Sequence, residues 1–274
     1  MLGACSIFTL LNVAARATCP GVAVALGFAY GRNARNRLDI YAPARCAPQR
    51  PVVVFFYGGG WDSGARADYA WVGRSLAAQG YVVVVADYRI HPEVVWPAFL
   101  QDAAQAVRWT RDNIAAHGGD PLRLVLMGHS AGAYNAVELA VNRRWLAAVG
   151  LEAARDLKGV VGLSGPYDFL PLHSERLKAI FQPEALRPDT QPINNVDGRN
   201  PPLLLVTGDQ DATVHAGNSD RLAAAVRAAG GEAAVIHYPR LDHARTLGSL
   251  IPPLQWLAPV MRDARTFIDA WTGA

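Results

Sequence analysis

One serine stands in a sequence context that could make it a nucleophile. Residues 128–132 read Gly-His-Ser-Ala-Gly, follow an apolar run and open a stretch rich in alanine and leucine. Between a strand and a helix, a G-x-S-x-G motif forms a sharp turn that exposes the serine hydroxyl. The turn brings backbone segments very close, so it requires small residues such as Gly128 and Gly132. A chance pentapeptide is the alternative, but the flanking strand and helix patterns favour Ser130 as a nucleophile.

A serine hydroxyl needs a base to accept its proton and a third group to orient that base. On this scaffold the acid and then the histidine follow the serine along the chain. The downstream candidates are His215, His237 and His243. His215 comes early and is expected at a loop rim, whereas His237 lies inside an apolar run and is expected to be structural. His243 follows that run in a loop, so we predict that it is the base.

Two carboxylates follow the apolar run Leu203–Thr207, and both are expected at the same edge of the sheet. Asp209 directly follows a glycine, and we expect it to hold the turn through backbone N–H groups. Asp211 lies further out and is predicted to be the acid of the triad. Asp242 is adjacent to His243, a geometry unfavourable for bonding to that imidazole, and is expected to face solvent.

A glycine run at residues 58–60 ends another apolar run and provides candidate donors for a developing oxyanion. Without a Cβ, the backbone N–H groups of glycine can approach a ligand closely. We predict that the N–H groups of Gly59, Gly60 and Ala131 form an oxyanion hole. A phosphate-binding loop is the alternative, but no Gly-Lys-Ser/Thr follows the run.

The elements that must position these residues are short apolar runs alternating with helical stretches. This alternation predicts a mostly parallel central sheet with helices on both faces. The predicted strands are Leu38–Tyr41, Val52–Tyr57, Tyr81–Asp87, Leu122–Met127, Gly159–Leu163, Leu203–Thr207 and Ala233–Tyr238. The predicted helices are Ala67–Gln79, Ala98–Ala116, Ala131–Val141, Ser219–Ala229 and Pro253–Trp271.

Two stretches break the alternation. Residues 1–37 precede the first predicted strand and are expected to form an N-terminal extension. Residues 165–200 contain five prolines and show no period of their own; we expect a small cap or binding loop there. The length of 274 residues suits one α/β domain, so we expect a single domain.

The net charge and the cysteine content limit which partners and which compartment the sequence predicts. The net charge is +3 with scattered basic residues, which argues against a nucleic-acid partner. No run reaches the roughly 18 apolar residues of a membrane span. Cys5, Cys19 and Cys46 lack metal-ligand spacing and are expected to be buried thiols. Leu2–Cys5 looks like a lipoprotein cleavage site without the preceding charged and apolar regions. The sequence as written predicts a cytoplasmic protein, with an exported lipoprotein as the alternative.

The order of several motifs resembles that of hormone-sensitive-lipase-like esterases over residues 38–272. These motifs are Asp87-Tyr88-Arg89, Pro92-Glu93, Pro97-Ala98, Asp102, Trp109, Gly118-Gly119-Asp120-Pro121 and Gly128–Gly132. The chain looks similar to bacterial esterases of the feruloyl or acetyl-xylan esterase type and to kynurenine formamidases. The resemblance implies an α/β-hydrolase fold and a carboxylesterase without metal or cofactor that acts on small esters. The small predicted cap and the lack of a long apolar helix favour short-chain, water-soluble esters. An arylformamide or another amide is the alternative substrate.

Three aromatic residues near the glycine run are candidates for the substrate pocket. Tyr57 stands where many members of the family carry a histidine that braces the glycine loop, and a phenol can brace such a loop too. Trp61 and Tyr134 lie beside the two oxyanion elements. Each of the three either lines the pocket or only packs against its neighbours.

Overall fold

The computed structural model describes residues 6–44 and 49–274, and within them eight strands form one sheet. The strands are β1 (Val22–Ala29), β2 (Arg37–Pro43), β3 (Arg50–Phe56), β4 (Val82–Ala86), β5 (Gly119–His129), β6 (Leu157–Leu163), β7 (Leu203–Gly208) and β8 (Ala233–Tyr238). Their order in the sheet is β1-β2-β4-β3-β5-β6-β7-β8. β1 and β4 both pair with β2 in antiparallel fashion, and all pairs from β4 to β8 are parallel. The predicted fold class is confirmed.

The helices mostly connect consecutive parallel strands. They are α1 (Ile7–Thr18), α2 (Ala70–Ala77), α3 (Ala98–Asn113), α4 (Ala131–Val141), α5 (Arg143–Ala147), α6 (Ala153–Asp156), α7 (Glu175–Ile180), α8 (Gly217–Ala228), α9 (His243–Gly248) and α10 (Val260–Thr272). The residues predicted to be a cap or binding loop, 165–200, contain α7 followed by short 3-10 turns.

The central strands are buried and the last strand is not. Residues 52–56 of β3 and all of β4 are fully buried, as expected for strands covered on both faces. Along β8, by contrast, only Tyr238 is buried, because this strand lies at the edge of the sheet. The carboxyl ends of β3, β5 and β7 meet at one edge, where the predicted site residues follow them.

One sequence prediction about the elements was incomplete and another was wrong. Within the described part of residues 1–37, the predicted N-terminal extension contains α1 and the edge strand β1, whose register shifts between Ala25 and Phe28. The predicted helix Pro253–Trp271 is divided into a 3-10 turn at Pro252–Leu254 and α10. Pro259 directly precedes α10, and a proline is tolerated at a helix start but not in its interior.

Of the cysteines, Cys19 is free and buried, whereas Cys5 and Cys46 lie outside the described residues. Within the described part of the chain, no helix has both the length and the apolar character needed to cross a bilayer.

Candidate active site

Ser130 occupies the sharp turn between β5 and α4. Its φ of 54° lies in the left-handed region that residues other than glycine seldom adopt. A Cβ on Gly128 would collide with the carbonyl of Gly132, and a Cβ on Gly132 would collide with the carbonyl of Phe56. The requirement for small residues on both sides of the serine is therefore steric. The Ser130 N–H donates to the carbonyl of Leu163, 2.9 Å away, which fastens the turn to β6.

Asp211 and His243 are joined by a hydrogen bond of 2.8 Å between Oδ2 and Nδ1. The other carboxylate oxygen of Asp211 accepts the backbone N–H groups of Thr213 and Val214 at 2.9 and 2.8 Å. The prediction that Asp209 would hold this turn was wrong, because Asp211 does so with one oxygen while its other oxygen faces the imidazole. Its side chain is 0% exposed.

The electrostatic surroundings of Asp211 keep it ionised. Burial alone would raise its pKa, but the hydrogen bonds from His243 and from the N–H of Val214 outweigh burial and lower the pKa below the ordinary value. The hydroxyl of Ser164 acts in the same direction. A carboxylate at neutral pH can only accept hydrogen bonds, so Nδ1 of His243 carries the proton.

The sequence predicted that His243 lies in a loop, but His243 is the first residue of α9. Asp242 is the N-cap of this helix, and its side chain accepts the N–H of Arg245 at 2.8 Å. The cap fixes the first turn of α9 and with it the start of the His243 side chain. No hydrogen bond within residues 6–44 and 49–274 occupies Nε2 of His243, and this residue lines the same cavity as Ser130.

The other candidate histidines differ in position. His215 lies at the rim of the cavity, as expected of a loop residue. His237 is bound on both ring nitrogens, by Asp209 at 2.7 Å and by Asp220 at 2.9 Å. His237 is therefore a structural histidine, as predicted, and Asp209 is its hydrogen-bond partner. Neither of these two carboxylates is among the described residues that line the cavity.

His129 contributes to the site in a way that its place in the G-x-S-x-G motif did not predict. Its Nε2 lies 2.9 Å from the backbone carbonyl of His243, and the two rings are 4.7 Å apart. A carbonyl only accepts, so Nε2 is the protonated nitrogen. Burial, reinforced by the neighbouring His243, lowers the pKa of His129 to about 3, so the ring is neutral at physiological pH.

The glycine run after β3 leaves backbone N–H groups without a partner among the described residues, beside the Ser130 cavity. The carbonyl of Gly59 accepts N–H groups of Asp62 and Ser63 at 3.2 and 3.0 Å and the Ser63 hydroxyl at 2.8 Å. In a planar trans peptide the carbonyl and the next N–H point in opposite directions, so the Gly60 N–H points away from Ser63. Within the described residues, no hydrogen bond uses the N–H groups of Gly59, Gly60 or Ala131. These donors are free to bind a ligand.

The cavity over Ser130 has a volume of about 750 Å³, a size typical of sites for small molecules. Part of its wall comes from residues 166–177, so the insertion contributes directly to the site. Trp61 lines this cavity, as its position suggested. Tyr57 and Tyr134 do not line it; both are fully buried, so of the two alternatives left open by the sequence they pack against their neighbours. The Tyr134 hydroxyl instead donates to the carbonyl of Thr190, 2.7 Å away.

Tyr57 takes part in a buried polar network under the glycine loop. Its hydroxyl donates to Asp87 at 2.7 Å and accepts from Arg35 at 3.0 Å. The same Arg35 nitrogen also donates to the carbonyl of Gly64 at 2.7 Å. Burial is the main reason that the pKa of Tyr57 is raised, so the phenol stays protonated. Arg35 thus links the Tyr57 phenol to Gly64, at the end of the loop that begins with the glycine run 58–60.

Metal ligation is not suggested by the side chains. Across residues 6–44 and 49–274, no group of three or more His, Cys, Asp or Glu side chains is arranged to hold a metal ion. The arrangement of Ser130, His243 and Asp211 can instead support nucleophilic attack with proton transfer, and free N–H groups beside it can stabilise negative charge on oxygen.

Comparison with known proteins gives a consistent pattern. The family model BD-FAE matches residues 38–226. The chain is 32% identical over 234 residues to isoprenylcysteine alpha-carbonyl methylesterase ICME of Arabidopsis thaliana, covering 78% of this chain and 55% of that protein. It is 31% identical over 234 residues to esterase LipQ of Mycobacterium tuberculosis, with the same coverage of 78% and 55%. The chain therefore spans about half the length of the curated relatives it matches.

Among solved structures, esterase B from Lactobacillus rhamnosis matches with a TM-score of 0.78 at 21% identity, covering 98% of this chain and 97% of that one. At this level of identity the match shows the fold alone. It agrees with the α/β-hydrolase arrangement of strands and helices described above.

Proposed function

The chain belongs to the BD-FAE family, and from this premise we propose that it is a carboxylesterase that hydrolyses small esters through Ser130, His243 and Asp211. The observation that carries the proposal is the 2.8 Å bond between the buried, ionised Asp211 and the imidazole of His243 beside the Ser130 cavity. An oriented imidazole with its second nitrogen free is what a serine hydroxyl needs in order to become a nucleophile.

The reaction proceeds in two steps. Oγ of Ser130 attacks the ester carbonyl carbon while Nε2 of His243 accepts the hydroxyl proton; the tetrahedral oxyanion then collapses, and the alcohol leaves with that proton. In the second step His243 removes a proton from water, whose oxygen attacks the acyl-enzyme; the tetrahedral oxyanion then collapses, the carboxylic acid leaves, and the proton on Nε2 returns to Oγ of Ser130. Asp211 stays ionised throughout and stabilises the imidazolium formed in each step.

The N–H groups of Gly60 and Ala131, with that of Gly59, are proposed to bind the oxyanion. Each oxyanion-hole donor lowers the barrier by about 2.7–4 kcal/mol where this has been measured by mutagenesis. The free state of these N–H groups and the three bonds that orient the Gly59 carbonyl support this role.

An ester is favoured over the arylformamide alternative by the names of the relatives, which are esterases and methylesterases. Short-chain, water-soluble esters are proposed because the cavity of about 750 Å³ is sized for a small molecule.

The test is the hydrolysis of p-nitrophenyl butyrate and of N-formylkynurenine by the unsubstituted protein, Ser130→Ala and Ser174→Ala. Ser174 is an exposed serine before α7 whose side chain makes no cap bond, which makes it a matched control. We expect ester hydrolysis that Ser130→Ala abolishes and Ser174→Ala leaves intact. Full activity in a folded Ser130→Ala protein, or preferential cleavage of the formamide, would contradict the proposal.

A further inference from the structure

One carbonyl of the glycine loop is held by a side chain that lies more than a hundred residues away in the sequence. Nη1 of Arg176, on α7 of the insertion, donates to the Gly60 carbonyl at 3.0 Å and to Oδ2 of Asp62 at 2.7 Å. A Cβ on Gly60 would come within 2.5 Å of this nitrogen. The guanidinium therefore rests directly on the loop that carries the proposed oxyanion donors, on a surface that only a glycine leaves open.

The contact matters because Gly60 lies between two peptide planes that must both be fixed. The plane before it is held by the bonds from Asp62 and Ser63 to the Gly59 carbonyl. The plane after it has Arg176 as the only hydrogen-bond partner of the Gly60 carbonyl within the described residues. Glycine at a φ of 59° has little intrinsic preference to keep this conformation. Loss of the Arg176 bond would let the Gly60–Trp61 peptide rotate.

We propose that Arg176 is a positioning residue that sets the oxyanion hole by holding the Gly60 carbonyl, so that the insertion completes the catalytic site as well as covering it. The inference rests on the proposed function. The Gly60 N–H belongs to the preceding peptide, which the bonds to the Gly59 carbonyl hold, so loss of Arg176 would act through the Gly60 carbonyl. Rotation of the Gly60–Trp61 peptide would turn this carbonyl out of its present direction beside the proposed hole, and a carbonyl oxygen repels an oxyanion. The side chain of Arg176 is 49% exposed, and ion pairs at such positions contribute little to folding stability. The effect is therefore expected in catalysis and not in unfolding.

The experiment compares Arg176→Met, Arg176→Lys and Lys178→Met in the full chain. Methionine keeps much of the length and apolar stem but has no donor; lysine restores one donor and the charge. Lys178 lies on the same helix and pairs with Glu175 at 2.7 Å, away from the glycine loop, so its variant controls for loss of a cation from α7. Kinetics with p-nitrophenyl butyrate would be measured beside the affinity for a trifluoromethyl ketone. Ser130 adds to this ketone to form a stable oxyanion adduct, its proton passing to His243.

We expect Arg176→Met to lower kcat roughly 10- to 100-fold with KM changed less than about threefold, since a displaced carbonyl beside the hole costs less than the 10²–10³ of deleting a donor. Affinity for the ketone should fall by the same factor as kcat/KM. Arg176→Lys should recover most of the loss, and Lys178→Met should match the unsubstituted protein.

Two results for Arg176→Met would overturn the inference while leaving the proposed function intact. The first is that neither kcat nor KM changes. The second is a raised KM with unchanged kcat, which would mean that Arg176 binds the substrate directly. Failure of the ketone to bind the unsubstituted protein would overturn both. Circular dichroism and the melting temperature of each variant establish that a lost rate is not lost folding. Should Arg176→Met unfold, Arg176→Ala serves as the second variant without a donor, and full kcat in a folded Arg176→Ala would refute the role.

Discussion

Two aspartate–histidine pairs lie at the same edge of the sheet and differ in almost everything that decides whether a histidine can act as a base. Asp211 and His243 are joined at 2.8 Å, and Asp209 and His237 at 2.7 Å. The side chain of His237 is 37% exposed and carries a second carboxylate, Asp220, on its other nitrogen. The side chain of His243 is 20% exposed and has its other nitrogen free beside Ser130.

The comparison teaches that an Asp–His hydrogen bond does not by itself make a base. His237 has no nitrogen left to accept a proton, and its two carboxylates, Asp209 foremost, raise its pKa and favour the charged ring. Asp211, by contrast, accepts two backbone N–H groups with one carboxylate oxygen and the imidazole N–H of His243 with the other. A base for Ser130 requires one buried, fixed carboxylate and one free nitrogen.

The largest expected effect separates the two histidines. His243→Ala should lower kcat by roughly 10⁴- to 10⁶-fold, since removing the base of a triad disables the nucleophile as well. His237→Ala should stay within about twofold, because that ring contacts neither the cavity nor Ser130. Steady-state kinetics with p-nitrophenyl butyrate measure both. Equal losses in two folded variants would show that the Asp209–His237 pair belongs to the catalytic apparatus.

The next largest effect separates the two carboxylates. Asp211→Asn should lower kcat by about 10⁴-fold, because an amide can donate to Nδ1 and so favours the wrong tautomer of His243. Asp209→Asn serves as the matched substitution two residues away and should leave the rate unchanged. Should Asp209→Asn prove the more damaging change, the acid of the triad would have to be reassigned.

The comparison also predicts the shape of the pH profile on its acid side. There we expect kcat/KM to fall about tenfold for each pH unit. Hydrogen bonds hold the pKa of Asp211 below its ordinary value despite burial, and the pKa of His129 is about 3. Between pH 4.5 and 8 neither changes charge, and His237 titrates outside the cavity. The logarithm of kcat/KM should therefore fall with a slope of one as pH decreases. A slope of two would indicate a second titrating group in the site.

The sequence was sufficient to predict the parts of the site that depend on local spacing. Ser130 and its flanking glycines follow from the steric needs of one turn, and the central strands follow from uninterrupted apolar runs. The assignment of Asp211 and His243 as partners rested on their position after β7 and β8, and the structure brings them together. Their catalytic roles stay predictions until the variants are measured.

What the sequence could not provide depends on contacts between distant segments. Asp209 and Asp211 are two residues apart in one loop, and only burial decides which carboxylate binds the backbone. Arg176 lies in an insertion without periodicity, so nothing local connects it to Gly60. His129 occupies the variable position of its motif, and its bond to the His243 carbonyl arises only when β5 and α9 meet. The edge strand β1 was missed although its residues are all apolar, because half of them are alanine or glycine, which are depleted in strands.

The smallest expected effect concerns stability and tests the charge on His237 between Asp209 and Asp220. Because its carboxylates raise the pKa of His237, the stabilisation they give is fully present below the unfolded value of about 6.5 and is lost as pH rises through the folded value. The pair is exposed, so it contributes at most about 1 kcal/mol, less in high salt. His237→Gln keeps a hydrogen-bonding amide without the charge. Its melting temperature should lie about 2–4 °C below that of the unsubstituted protein at pH 5.5 in low salt, with the gap closing by pH 9 or in 1 M salt. A gap that widens with rising pH would mean that the imidazole is neutral between its carboxylates, and the contrast with His243 would then rest on its occupied nitrogens alone.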